Sequence, residues 1–143
     1  MEEGTRFQQD VEVVSKALAQ RGRGEDAQKE GSRLYRKFKE TKQEPVRLAV
    51  ALRGYFMEEG VSSDQREDYG KYLKGRIRPA MEELIGEEAV EKMKVFEELG
   101  WFDGRHLEGF IRSARNRKKT ASLVWLLHLK DVKYGYHDYD FTL

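Results

Sequence analysis

Apolar residues recur along this chain at the three- and four-residue spacing of an α-helix, and short breaks containing glycine or proline separate the periods. Near the N-terminus, Phe7, Val11, Val14 and Leu18 lie on one stripe of a helix predicted over residues 5–20. The same pattern predicts further helices over residues 26–44, 46–59, 62–74 and 79–85.

Three more short amphipathic helices are predicted over residues 89–99, 105–115 and 121–130. The last reads Ala-Ser-Leu-Val-Trp-Leu-Leu-His-Leu and is apolar on nearly every side, so we expect other helices to surround it. The residues predicted to anchor the core are Phe96, Leu99, Phe110, Ile111, Leu123, Trp125, Leu126 and Leu127.

The order of these elements contains a weak internal repeat. Residues 79–100 read as short helix, break, longer helix and Leu-Gly, and residues 105–130 repeat this order with about three extra residues between the helices. A spacing of about 30 residues is typical of helical hairpins that bury their apolar faces only against their neighbours. The predicted fold is therefore all-α, built from stacked antiparallel helical hairpins with about six to eight helices in total.

The expected organisation is one domain over residues 1–143, the usual size of a single folded unit. It consists of an N-terminal helical pair (1–44), a helical-hairpin stack (45–130) and an aromatic C-terminal tail (131–143). The tail is predicted to be ordered and to cap the last hairpin, with Tyr136, Tyr139, Phe141 and Leu143 over its apolar face. The alternative is that these aromatic residues form a partner-binding motif.

A Leu-Gly helix ending, the Ile-x-x-Ala of residues 111–114 and the second helix containing Leu126-Leu127 resemble ankyrin-like helical repeats. Residues 46–143, including Tyr-Gly-Lys-Tyr-Leu at 69–73 and the closing Tyr-Asp-Phe-Thr-Leu, resemble the C-terminal region of uncharacterised ankyrin-like proteins of Gram-positive bacteria. The resemblance implies stacked helix pairs used for protein contacts, with no catalytic residues. The Thr-Pro-Leu-His signature of true ankyrin repeats is absent, and the link at residues 101–104 is too short for a full β-finger.

Composition narrows the possible classes of function. The chain contains no cysteine, which excludes disulfides, thiolate metal sites and a cysteine nucleophile. No stretch approaches the roughly 20 apolar residues that a membrane-spanning helix needs, so we expect a cytoplasmic protein without membrane contact.

Candidate catalytic chemistry is sparse. The three histidines, His106, His128 and His137, share no spacing that places two ligands on one helix face. Adjacent glutamate pairs such as Glu82-Glu83 point about 100° apart on a helix and do not converge on a substrate. We therefore expect no metal, no cofactor and no enzymatic activity.

Charge is the more informative signal, although 27 basic and 26 acidic side chains leave a net charge of only +1. Residues 81–98 carry seven glutamates against two lysines, whereas residues 112–119 carry five basic residues and no acidic one. The basic groups either complement their own helix end and a neighbouring acidic helix, or form a patch for phosphate or an acidic partner. The patch candidates are Lys29, Arg33, Arg36, Lys37, Arg112, Arg115, Arg117, Lys118 and Lys119.

Two functions of different class follow from the sequence. The first is a non-catalytic protein interaction or scaffold module presenting the surface of stacked helices to another protein. The alternative is a small nucleic-acid-binding protein that uses basic patches at residues 29–42 and 112–119. No aromatic residues interleave with these patches, so the alternative predicts backbone contacts without base stacking.

Overall fold

A computed structural model describes residues 2–22 and 26–135, and all regular structure within these ranges is helical. This confirms the all-α prediction. The elements are α1 (Glu2–Gly22), α2 (Ala27–Glu40), α3 (Glu44–Tyr55), α4 (Ser63–Gly75), α5 (Ile77–Glu87), α6 (Val90–Glu98), α7 (Gly104–Asn116), α8 (Thr120–Leu129) and a π-helical segment (Lys130–Gly135).

Contacts between these elements group the chain into two compact units, Met1–Arg76 and Ile77–Leu143. The first unit holds α1 to α4, so the helical pair predicted for residues 1–44 packs together with α3 and α4. The second unit holds α5 to α8 and the π-helical segment. The expectation of one domain stays a prediction.

Helix α3 is the centre of the first unit because α1, α2 and α4 all pack against it. Its five consecutive residues Leu48–Leu52 are at most 6% exposed, which requires neighbours on every side. Pro45 lies in its first turn, where a missing N–H is not needed. Ser62 begins α4 through a capping box with Gln65, as the capping oxygens in the sequence predicted.

Two glycines let α2 approach the loop that follows α3. A Cβ atom on Gly31 would lie 1.8 Å from the carbonyl oxygen of Gly60, closer than any real contact. Gly60 itself has a φ of 87°, a conformation that favours glycine. The absence of a side chain at both positions allows α2 to pack closely on the loop after α3.

The second unit contains the two predicted hairpins, α5–α6 and α7–α8, and their turns have the same geometry. Glu88 and Lys118 both adopt the left-handed conformation, with φ of 57° and 58°. The following amides, of Ala89 and Lys119, donate to carbonyl oxygens five residues earlier, which is the Schellman pattern. These positions differ by 30 residues in each case, so the three extra residues predicted between α7 and α8 are not present.

The prediction that α8 is buried on all sides is wrong. Only Ser122, Leu126 and Leu129 are fully buried, while Val124 is 61% and Leu127 39% exposed. Helix α8 packs mainly against α7, the π-helical segment and α6, and the Ser122 hydroxyl on its buried side donates to the backbone oxygen of Ile85 in α5. Helix α8 therefore carries more apolar surface than its neighbours cover.

The other predicted core anchors divide in a similar way. Phe96, Phe110, Ile111 and Leu126 are buried, as predicted. Leu123 and Trp125 are only partly buried. Leu99 is 49% exposed because it lies beyond the last turn of α6, where Gly100 reverses the chain and Trp101 stacks on Phe96 with ring centroids 4.7 Å apart.

The tail predicted to cap the stack is described only as far as Gly135. In this part, Lys133 and the Tyr134 hydroxyl donate to the carboxylate of Glu97, which is 8% exposed. The contact ties the π-helical segment to α6. The remaining prediction, for Tyr136 to Leu143, lies outside the described residues.

Candidate functional site

An open groove lies between α1 and α2 in the first unit. Both helices pack against α3, which forms the floor of the groove with Val46 and Val50. The volume is about 440 Å³, within the range of ligand-binding clefts. The wall from α1 is apolar and consists of Val13, Val14, Ala17 and Leu18.

The groove continues along α1 into a second hollow of about 410 Å³. The two hollows share Val13, Val14 and Val46, so they form one elongated depression. Along α1 the lining runs from Asp10 to Arg21. At 1.5 Å per residue this stretch is about 16 Å long, or three helical turns.

Basic residues line one end of the groove. They are Arg21 from α1 and Arg33, Arg36 and Lys37 from α2, accompanied by one carboxylate, Glu40. Arg36 and Lys37 are exposed and form no ion pair within the described part of the chain. The groove therefore combines an apolar floor with a mainly positive rim.

The structure distributes the predicted patch residues over different surroundings. Arg33, Arg36 and Lys37 line the groove, and Lys29 is exposed on α2 without lining it. In the second unit, the exposed patch residues are Arg112, Arg115 and Lys118, whereas Lys119 is partly buried at the N-cap of α8.

Arg117 does not belong to a free patch. Its Nη1 donates to the backbone oxygen of Glu82 at 3.0 Å and to the Glu82 carboxylate at 3.1 Å. Gly86 makes room for the guanidinium, since a Cβ atom there would lie 2.4 Å from Nη2. This pair agrees with the interpretation in which the basic end of α7 faces an acidic helix, but only for this one residue.

The sequence pattern missed the apolar wall of the groove. Val13 is 65% exposed and lies beside the stripe formed by Phe7, Val11, Val14 and Leu18. A second apolar position next to a complete stripe was a signal that this helix carries a wider apolar surface than its own packing uses. The pairing of that surface with Val46 and Val50 depends on long-range packing.

Two acidic residues, Glu30 and Asp103, make contacts within the fold. Glu30, 5% exposed, accepts a hydrogen bond from Nε of Arg53 at 2.7 Å. Asp103 caps α7 in a capping box with His106, and hydrogen bonds from Arg105 lower the pKa of its carboxyl group. Among the described residues, no group of three or more histidines and carboxylates is arranged to hold a metal ion.

None of the described helices combines the length and the apolar character that crossing a bilayer requires.

Comparisons with protein-family models, with curated proteins and with solved structures give no match to this chain. The resemblance to ankyrin-like proteins therefore stays a prediction. The 30-residue equivalence of the two hairpins rests on their own geometry alone.

Proposed function

We propose that this protein is a non-catalytic interaction module that binds another protein through the groove between α1 and α2. The observation that carries the proposal is the pairing of an exposed apolar wall with an apolar floor. Val13 is 65% exposed in this wall, and Val46 and Val50 lie below it. A partner that fills the groove removes from water the apolar area that is still exposed, which belongs chiefly to Val13.

The geometry suits a recognised type of contact between proteins. In helix-in-groove binding, an amphipathic helix places its apolar face between two helices of the receptor. The groove has two helical walls, a helical floor and a length of about three turns.

The second unit offers further support for a protein-binding role. The face of α8 that contains Val124 and Leu127 is exposed, and Val132 in the π-helical segment is 64% exposed. Apolar residues exposed together mark interaction surfaces more often than isolated ones do.

Site-specific photocrosslinking tests the proposal. A photoreactive amino acid replaces Val13 on the groove wall, and the control carries it at the adjacent Glu12, which pairs with Lys16 at 3.1 Å and does not line the groove. In an extract of the source cells, we expect protein adducts from position 13 and not from position 12. Equal adducts from both positions, or none from either, would contradict the proposal.

Nucleic-acid binding is the second candidate, favoured by the exposed and unpaired state of Arg36 and Lys37 within the described part of the chain. Binding through phosphates alone falls steeply with salt. We expect any electrophoretic shift of duplex DNA or RNA at low salt to disappear near physiological ionic strength. A shift that persists there and depends on Arg36 and Lys37 would favour this candidate over protein binding.

A further inference from the structure

We infer that the groove between α1 and α2 recognises an acidic amphipathic helix of about three turns, supplied by a partner protein. The inference rests on the proposed function and specifies the chemistry of the partner. The length of the groove indicates the length of the bound helix, its apolar lining indicates an aliphatic face, and its basic rim indicates negative charge.

The length of the occupant follows from the lining of α1. Asp10 and Arg21 mark the two ends of the joined hollows, about 16 Å apart along the helix axis. A partner helix of about 11 residues spans this distance and places three or four apolar side chains at i, i+3 or i+4 and i+7.

The apolar lining of the groove favours an aliphatic face on the occupant. The apolar residues that line the two hollows are valines, an alanine, a leucine and a proline, and no aromatic ring lines either hollow. Single-stranded nucleic acid is held by base stacking on aromatic side chains, which the groove does not provide. An aliphatic helix face matches the floor and gains stability from the buried area.

The rim selects negative charge. Arg21, Arg36 and Lys37 are exposed beside Arg33, and Glu40 is the one carboxylate at this end. Glutamate or aspartate on the outward edge of the occupant would lie against Arg36 and Lys37, while lysine there would be repelled. Asp10 at the far end confines the preference to one end of the partner helix.

Selection from a displayed peptide library tests the inference. The library consists of helix-forming peptides of about 14 residues with Leu fixed at i, i+3, i+4 and i+7 and outward positions drawn equally from Glu, Lys, Gln and Ser. Peptides are selected on the full-length protein and counter-selected on Val13→Glu, an exposed substitution that should leave the melting temperature unchanged. We expect the retained peptides to be enriched in Glu toward one end.

Charge-reversed variants give the matched control. The double variant Arg36→Glu/Lys37→Glu reverses two rim charges, and Lys29→Glu/Lys42→Glu reverses two exposed charges of the same region that do not line the groove. We expect the rim variant to weaken a selected acidic peptide about tenfold or more, as two lost surface ion pairs predict. The control variant should change its affinity about twofold at most.

The outcomes separate the inference from the function on which it rests. Retained peptides without acidic enrichment, or with lysine enrichment, would overturn the acidic partner and leave the interaction module intact. The absence of any peptide that depends on Val13 would overturn both. Binding of palmitate that abolishes peptide binding and is lost in the rim variant would assign the groove to a lipid instead and overturn the inference.

Discussion

Helices α3 and α8 have similar sequences in one respect, since both are apolar around most of their circumference, but their surroundings differ. Leu48 to Leu52 of α3 are buried without interruption beneath α1, α2 and α4. Val124 and Leu127 of α8 are exposed, because the neighbours of this helix cover one side only. An all-apolar helix thus indicates a need for neighbours, and the number of neighbours that the chain supplies decides how much of it is buried.

The position of each helix in its unit explains the difference. Helix α3 is the element on which the other three helices of the first unit pack. Helix α8 belongs to the second of two consecutive hairpins, and within residues 77–135 its largest packing contacts are with α7 and the π-helical segment. The same sequence signal therefore marks a core in one unit and an open surface in the other.

A matched pair of charge insertions gives the sharpest test of this comparison. Ala51→Asp places a carboxylate on a fully buried side of α3 and should cost about 3–5 kcal/mol, since the charge is removed from water and the closely packed side has to make room for it. Val124→Asp on the exposed side of α8 should cost less than about 1 kcal/mol. Urea unfolding followed by circular dichroism measures both. Similar losses would show that the exposed face of α8 is covered in solution.

Truncations within α8 itself form the next test. Leu126 is fully buried, and Leu126→Ala should lower the free energy of unfolding by about 2–5 kcal/mol. Trp125 is partly buried, so Trp125→Ala should cost about 1–2 kcal/mol, less than the roughly 3–5 kcal/mol of a fully buried tryptophan. Circular dichroism during urea denaturation reports the transition in both variants. A larger loss at Trp125 than at Leu126 would contradict the observed orientation of α8.

A glycine substitution tests how closely α2, one of the helices that pack on α3, approaches the loop at Gly60. Gly31→Ala forces a Cβ atom into the carbonyl group of Gly60 and should destabilise the protein by about 1–3 kcal/mol. At Gly75 a Cβ atom would meet nothing within 4 Å, so Gly75→Ala is the control and should be neutral or stabilising by up to about 1 kcal/mol. Melting temperatures compare the two variants. Equal effects would mean that α2 does not approach Gly60 closely.

Local signals made most of the helices predictable from the sequence. Pro45 and the Ser62–Gln65 pair mark helix starts through chemistry that acts within one turn. Helix ends were less well predicted, since the helix expected over residues 79–85 runs to Glu87, and Glu88 adopts the left-handed conformation that is usually occupied by glycine. Lys118 likewise occupies a left-handed position where glycine is expected, so the sequence did not reveal that the two turns, at Glu88 and Lys118, are 30 residues apart.

The candidate groove could be predicted only in part. The basic rim was visible as a run of charges on one helix, because sequence neighbours stay neighbours on α2. The groove brings Val13 in the wall from α1 together with Val46 and Val50 in the floor from α3, an arrangement set by how α1 packs on α3. The ion pair of Arg117 was not predictable for the same reason, since its partner Glu82 lies 35 residues away in the sequence.

The smallest expected effect concerns Tyr69, which belongs to the cover of α3. Its ring is fully buried against Gly54, and its hydroxyl finds no hydrogen-bond partner among the described residues. Tyr69→Phe removes an unsatisfied buried group and should leave the free energy of unfolding near neutral pH unchanged or raise it by up to about 1 kcal/mol. Tyr72→Phe is the contrast, because that hydroxyl donates to Glu44 at 2.9 Å and its loss should be mildly destabilising.

The stability of the protein at alkaline pH tests whether the Tyr69 hydroxyl is buried. Burial raises the pKa of Tyr69 above its ordinary value of 10.0, so the folded state keeps its proton where the unfolded state begins to lose it. The stability that this provides is fully present below about pH 10 and is lost as the pH rises toward the folded pKa, by up to about 1.4 kcal/mol per pH unit. Tyr69→Phe lacks this loss, so its advantage over the wild type should grow between about pH 10 and 11. An advantage that stays constant over this interval would mean that the Tyr69 hydroxyl reaches water in the folded protein and that α3 is less completely covered on the α4 side.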